Sequence, residues 1–455
     1  MLSTRTLQVF LHILVLIAIA FIPGVGLAFG TVDEIFPALM ALSVCMIFLW
    51  LFLRFRSLPL EDRKWLLYLS FIALFIRVLV AFAIFYGPID RDLFGEDQGG
   101  YDHMPFFLVR YWQGISPKPA FLFEGRSADR IGYYLFLALQ YYIFGPSLLV
   151  PRIFNCLAGA LTIVYAYRLG LHVFGRIEGR VTAMWVTFFP SLVLWSVLNL
   201  RDIWLTLSIL VIVWHTLLLR ERLSMASFAT LLGVMIGLQY VRPYLLVIMA
   251  VTVLSVFVLS HSKNLGRGLF LGIGFSVLLL LLYYQFDIGK QGLEFIDLEK
   301  IEKFRQGIAS VYSGKSGYYG DIDLSNPLGL ITFIPIGLVY FLFSPFPWEI
   351  RGFRQVITLP EMLTWYLTIP FIWRIVKQAL KQGARKNLAL LLPLIIISFV
   401  YTLGSANIGL AYRYRSQVII LYLVFTAAGY VQWRLRRYKR KRPLMRFTLP
   451  IKRSA

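Results

Sequence analysis

Acid, cysteine and histidine are what this sequence has least of. Its 455 residues include 23 Asp and Glu against 45 Lys and Arg, with two cysteines and five histidines. The cysteines, Cys45 and Cys156, lie inside apolar runs, which excludes a disulfide framework or a cysteine-built metal site. The histidines show no ligand spacing. Charged residues make up only 15% of the chain, and the basic ones fall in short loops between apolar runs and near the C-terminus. No soluble basic domain is left to carry nucleic acid, so the net charge of +22 does not mark a nucleic-acid binder.

What is abundant is apolar surface. Hydrophobic residues are 59% of the chain, aromatics 16%, and the mean hydropathy is +0.72. Soluble domains are roughly 45–50% apolar, and a soluble core could not hide this much grease. The class is therefore all-α and polytopic, each span needing ~20 apolar residues to cross ~30 Å of hydrocarbon. The first run, Leu7 to Phe29, is long, lacks a small-x-small cleavage site and precedes another span, so it reads as an uncleaved helix.

Basic residues gather on the cytoplasmic side of membrane proteins, and that rule assigns sidedness here. Twelve spans follow, at about 7–29, 35–53, 65–86, 150–169, 181–198, 203–219, 226–240, 245–260, 269–286, 361–376, 388–403 and 418–430, with both termini cytoplasmic. Residues 1–433 form one membrane domain, and 434–455 a basic cytoplasmic tail on the anionic inner leaflet. Two long outer loops result, 87–150 and 287–360. The charges on either side require two apolar stretches not to cross: Ile131–Phe144 lies in the outer interface, and Leu328–Phe343 is re-entrant or interfacial. Such backbone is tolerated where protein or water surrounds it.

The unusual polar groups then collect on the outer face. The first loop holds an acidic, glycine-rich knot, Gly95-Glu96-Asp97-Gln98-Gly99-Gly100-Tyr101-Asp102-His103, with Asp92 just before it. Arg201 and Asp202, Arg242 and Tyr244, and Arg413 and Arg415 stand at other outer ends. Ionisable groups at a membrane edge are functional candidates. This set suits transfer from a phosphate leaving group. A carboxylate can take the proton of an attacking hydroxyl, and arginines can hold a phosphate by bidentate hydrogen bonds as charge develops on it. Tyr101, Tyr244, Trp348 and Tyr412 can stack on sugar faces. Plainer readings exist: Asp97 as a helix cap, Asp102 as a solvated group, Arg201 with Asp202 as a local ion pair, Arg242 as a snorkelling side chain, and Arg413 with Arg415 as a charged loop. Arg77, in mid-span, needs a partner or a cavity.

Several stretches carry a resemblance. They are Asp97-Gln98-Gly99-Gly100-Tyr101, Gly132-Tyr133-Tyr134-Leu135, Pro151-Arg152-Ile153-Phe154-Asn155, the run from Gly159 to Arg168, Phe189-Pro190-Ser191, and Leu200-Arg201-Asp202. Over roughly residues 65–250 the chain resembles a GT-C glycosyltransferase. It is most similar to glycosyltransferase family 39, the group of protein O-mannosyltransferases and aminoarabinose lipid A transferases. In this sequence Gln98 replaces the acidic second position of the family's Asp-Glu-x-x-Tyr element. The resemblance implies a polyprenyl-phosphate sugar donor, an outer-face site and an inverting displacement with Asp97 as general base.

The expected protein is an inner-membrane glycosyltransferase. It moves a sugar from a polyprenyl-phosphate carrier to a lipid, glycan or protein acceptor on the extracytoplasmic face. Asp97 is the base. Arg413 and Arg415 hold the donor phosphate with Arg242 assisting, Arg201 and Asp202 orient the substrates, and Tyr101, Asp102 and Tyr244 complete the binding set. A divalent metal is compatible with this chemistry, but the residues name no ligands for one. Membrane lipids are the other partner, and nucleic acid is not. The rivals are a transporter or flippase for lipid-linked glycans and an O-antigen-type polymerase or ligase. The first predicts two related halves with broken helices, and no internal repeat is visible. The second expects a large outer loop with essential arginine and histidine, whereas 287–327 contains no histidine.

Overall fold

The computed structural model describes residues 3–29, 31–54, 58–87, 98–119, 131–259, 265–289, 292–293, 298–311, 317, 322, 326–350, 353–381 and 387–441. Among them the regular elements are helical. In chain order they are α1 (Thr4–Phe29), α2 (Val32–Arg54), α3 (Leu60–Tyr86), α4 (Gln98–Trp112), α5 (Ile131–Phe144), α6 (Leu149–Val173), α7 (Arg176–Phe188), α8 (Pro190–Leu194) and α9 (Asp202–Glu221). They continue with α10 (Met225–Val241), α11 (Pro243–Leu259), α12 (Leu265–Phe286), α13 (Leu298–Val311), α14 (Pro327–Phe343), α15 (Phe353–Lys381), α16 (Leu388–Gly404) and α17 (Ile408–Lys441). The chain is an all-α, polytopic membrane protein. Among the described residues 7 helices are long and apolar enough to cross a bilayer, joined by shorter apolar helices at most of the other expected spans. The basic run from Arg434 continues α17 as helix as far as Lys441.

Helix α6 is the central post. Its most apolar window is 94% buried, against 22% for α1. The outward faces of α1 and α2, with Ile13, Leu16, Phe36 and Ile47 exposed, are what a lipid-facing helix requires, since lipid tails accept apolar surface. Helix α7 packs on α6 through glycines. A Cβ on Gly179 would stand 2.8 Å from the Leu171 amide nitrogen and 2.8 Å from the Tyr167 carbonyl oxygen, both backbone atoms that cannot yield.

Polar contacts identify the two ends of the bundle. At one end Arg176 of α7 pairs with Glu61 and Asp62 of α3 at 2.7 Å each, and His172 of α6 meets Glu221 of α9. At the other end Thr31 bonds Tyr86, and Ser147, just before α6, bonds Glu34 at the start of α2. Every candidate polar group that is described lies at this second end, which charge placement expects to be extracytoplasmic.

The two apolar stretches expected not to cross are helices α5 and α14, and their contacts fall near that end. Gly132, at the start of α5, packs against the backbone of Tyr240 at the end of α10. The other end of α5 leads directly to Ser147 and its bonds to Glu34. In α14, Phe333, Gly337 and Phe341 lie along one face. They meet Leu403, Thr402 and Tyr401, three successive residues of α16. A face that stays on one turn of its neighbour crosses it steeply. The α14 face is also covered by Arg305 of α13, whose guanidinium sits 4.9 Å from the Phe333 ring and pairs with Glu302 at 3.2 Å.

The expected span 181–198 is not one helix. Helix α7 stops at Phe188 and Pro190 opens the five-residue α8, because proline cannot continue the hydrogen-bond ladder. The last carbonyls of a helix have no partner within it, and Arg77 supplies one from the middle of α3. It is fully buried. Its guanidinium donates to the Val186 and Thr187 carbonyls at 3.4 and 3.3 Å and to Ser196 Oγ at 2.9 Å. Gly159 of α6 makes the room, since a Cβ there would lie 2.7 Å from Arg77 Nε. Arg77→Met strands these acceptors, so we expect a loss of about 2–4 kcal/mol, read as a lowered unfolding midpoint in detergent. An unchanged midpoint contradicts the capping role.

Candidate active site

The broken span delivers the chain from Trp195 to Asp202 across the top of α6. Asn155 of α6 pins it there. The Asn155 amide donates to the Leu198 and Leu200 carbonyls at 2.7 and 3.1 Å, and its oxygen accepts from Trp204 Nε1 at 2.6 Å. Tyr133 of α5 donates to the side-chain oxygen of Asn199 at 3.1 Å. Asn155, Asn199 and Tyr133 are buried, so each of their bonds lost would leave a costly orphan.

Helix α4, which carries Gln98 to His103 of the acidic knot, is tied to the same place. Asp102 accepts two bonds from the Arg152 guanidinium, at 3.1 and 3.0 Å, and one from the Asn199 amide at 2.8 Å. Gln98 accepts from the Asn199 backbone N–H at 3.2 Å and from Arg152 at 3.4 Å. Asp102 is buried, which differs from a solvated carboxylate: it clamps α4 to α6. Asp92, Glu96 and Asp97 lie outside the described residues. Gln98, covalently next to Asp97, touches the backbone three residues before Asp202.

Asp202 begins α9 fully buried. It is not paired with Arg201 in the local manner one reading expected. One of its oxygens accepts from Arg413 Nε and Nη2 at 2.9 and 2.6 Å, and the other from Gln417 at 2.8 Å, both on α17. Arg201 instead turns to the end of α10 and donates to the Val241 carbonyl at 2.6 Å. The Arg413 guanidinium lies 5.9 Å from the Trp195 ring, and its side chain keeps 13% exposure.

Arg242, in the joint between α10 and α11, is the unusual member. It is 7% exposed. It donates to the Tyr244 hydroxyl at 2.6 Å and faces the Tyr414 hydroxyl at 3.5 Å, with its guanidinium 5.2 and 5.6 Å from the two ring centres. Its Nε has no hydrogen-bond partner among the described residues. Among the described residues no carboxylate pairs with it. A buried guanidinium faced by phenols can accept an anion as a charge-assisted hydrogen-bond partner.

Two other candidates sit differently from expectation. Arg415 is buried, and its guanidinium donates to the Leu342 and Ser344 carbonyls at 2.8 and 2.7 Å. It caps α14 instead of facing the Arg413 site. Tyr101 is buried edge-on against Tyr133 with ring centres 5.0 Å apart, a packing position and not a sugar-facing one. Tyr412 is also engaged inside, donating to Glu361 at 3.0 Å, whereas Trp348 is open, stacked on Phe346 at 5.0 Å.

The residues that sequence reasoning gave no role are Arg152, Asn155, Asn199 and Gln417. Arg152 and Asn155 left a signal, a polar pair three apart in an apolar run, which places both on one helix face. Among the described residues no group of three or more His, Cys, Asp and Glu stands together as a metal-ligand set.

Residues 131–284 match the family model of dolichyl-phosphate-mannose-protein mannosyltransferases. The matched stretch runs from α5 into α12. It contains Arg152, Asn155, Asn199, Arg201, Asp202, Arg242 and Tyr244, whereas Gln98, Asp102 and Arg413 lie outside it. No curated protein and no solved structure gives a significant match. The family match and the polytopic helical architecture together support a membrane glycosyltransferase of the GT-C type, similar to glycosyltransferase family 39.

Proposed function

We propose that the chain transfers a sugar from a polyprenyl-phosphate donor to an acceptor hydroxyl at the extracytoplasmic face of the membrane, with inversion at the sugar carbon. Asp97 takes the hydroxyl proton. The freed oxygen bonds to the anomeric carbon from the side opposite the phosphate. The carbon–oxygen bond to the phosphate breaks, and polyprenyl phosphate leaves with the bonding electrons and one more negative charge. Arg242 offsets that charge, and Arg413, held by Asp202, lies beside it. Arg152, Asp102 and Asn199 hold α4 so that the acidic knot stays at the site. Arg415 positions α14 and does not touch the donor.

The observation that carries this reading is Arg242, a buried cation with an unpartnered Nε at the end of the bundle where Asp202, Arg413 and α4 meet. Charge-assisted hydrogen bonds contribute about 1.5–3 kcal/mol each. Arg242→Leu is therefore expected to weaken binding of polyprenyl monophosphate about 10–100-fold, measured by scintillation proximity on purified protein, with uncharged polyprenol as the control. Equal affinity of the variant and the parent for the phosphate removes Arg242 from the site.

A further inference from the structure

At the end of the bundle opposite the site, α2 and α3 flank an open cleft of about 150 Å³ lined by Trp50, Leu53, Arg54, Arg63, Lys64 and Leu67. The proposed transfer makes no use of it. Its walls have two characters. Leu53 and Leu67 form an apolar floor, and the neighbouring outward face of α2 exposes Ile47, Phe48, Trp50 and Leu51. Its mouth is cationic. The Arg54 guanidinium lies over the Trp50 ring at 5.2 Å, and Arg63 Nη1 donates to the Arg54 backbone carbonyl at 3.3 Å, which ties the Arg63 side chain to the end of α2.

The carboxylates nearby do not serve these cations. Glu61 and Asp62 point to α7, where Arg176 and Arg180 hold them at 2.5–2.7 Å. Among the described residues, Arg54, Arg63 and Lys64 have no carboxylate within ion-pair range. Three cations that line one cleft without a carboxylate beside them repel one another, and an anion placed among them relieves that repulsion. An apolar floor running into a lipid-facing helix surface calls for an anion that carries its own hydrocarbon.

We propose that this cleft binds one acidic glycerophospholipid of the leaflet opposite the active site. Its phosphate sits among Arg54, Arg63 and Lys64, its glycerol region lies against Trp50, and its acyl chains run down the exposed face of α2. A basic cluster attracts the headgroups of an anionic leaflet, and the cleft confines that attraction to one lipid molecule. A free phosphate would find the cations but nothing for the apolar floor.

The test is native mass spectrometry of the purified full chain, titrated with dioleoylphosphatidylglycerol or dioleoylphosphatidylcholine. The parent is expected to retain one phosphatidylglycerol in preference to phosphatidylcholine. The triple variant R54Q/R63Q/K64Q should retain it about tenfold or more weakly, with unfolding in neutral detergent unchanged. Equal retention of the two lipids by the parent, or equal phosphatidylglycerol retention by parent and variant, overturns the proposal. Displacement of the bound lipid by sn-glycerol 3-phosphate at matched concentration also overturns it, because that makes the site a free-phosphate site. Should the variant not fold, a diazirine-bearing phosphatidylglycerol decides on the parent alone. Labelling concentrated on the peptide 47–67 supports the site, and labelling spread evenly over the lipid-facing helices overturns it.

Discussion

Asp97→Asn should reduce sugar transfer by about 10²–10⁴-fold while the protein still folds and still binds polyprenyl phosphate. Asparagine keeps the size of the side chain and much of its hydrogen bonding but cannot take a proton, so the variant separates catalysis from assembly. The clamp below it makes the experiment clean. Gln98 and Asp102 attach α4 to Arg152 and Asn199 through their own side chains, and none of those bonds involves residue 97. The check is initial-rate transfer together with an unfolding midpoint. Activity equal to the parent's excludes Asp97 as the base. A loss of activity accompanied by a comparable loss of stability assigns the residue to the fold instead.

Asp202→Ala should show the opposite pattern, with stability and activity lost together. Removing one partner of a buried ion pair leaves the other charge uncompensated and costs about 3–5 kcal/mol. Asp202 is fully buried and holds both Arg413 and Gln417, so its loss frees the top of α17 from α9. Asp202→Leu combined with Arg413→Leu removes both charges. It should be less destabilising than the two single changes added together, because the two residues share one interaction. Denaturant unfolding of the purified variants in detergent measures this. If the single variant unfolds within about 0.5 kcal/mol of the parent, as ordinary surface substitutions do, the pair does not hold the two helices.

The fold was legible where hydropathy and charge agreed. Hydropathy alone would let α5 and α14 cross the membrane, since both are apolar throughout. The basic residues on either side required both ends of each to share a side, and Gly132 and Ser147, at or just beyond the two ends of α5, meet Tyr240 and Glu34. The interruption of the 181–198 span was written in Pro190. What could not be read was that Arg77 answers it, because the capping group lies on another helix.

The polar groups at this end stood out in the sequence one by one, but their pairings did not, and helix geometry explains why. Arg413 and Arg415 look like a pair in a loop, but α17 already begins at Ile408. Residues two apart on a helix do not face each other. One therefore meets Asp202 and the other caps α14. Residue 417, four on from Arg413, shares its face, which is why Gln417 and Arg413 meet the same carboxylate. Adjacent residues at a helix start diverge in the same way, so Arg201 and Asp202 find separate partners. Long-range partners such as Arg152 with Asp102 have no local signature.

The central claim is that the bundle end carrying Asp202, Arg242 and Arg413 breaks a sugar–phosphate bond. The most direct measurement uses purified chain in vesicles with a panel of polyprenyl-phosphate sugars radiolabelled in the sugar, following free polyprenyl phosphate and label on acceptor together. The account predicts that at least one donor releases both in equal amounts with the parent and neither with Asp97→Asn. Movement of intact labelled donor across the bilayer, with the sugar–phosphate bond unbroken for every donor, would contradict it.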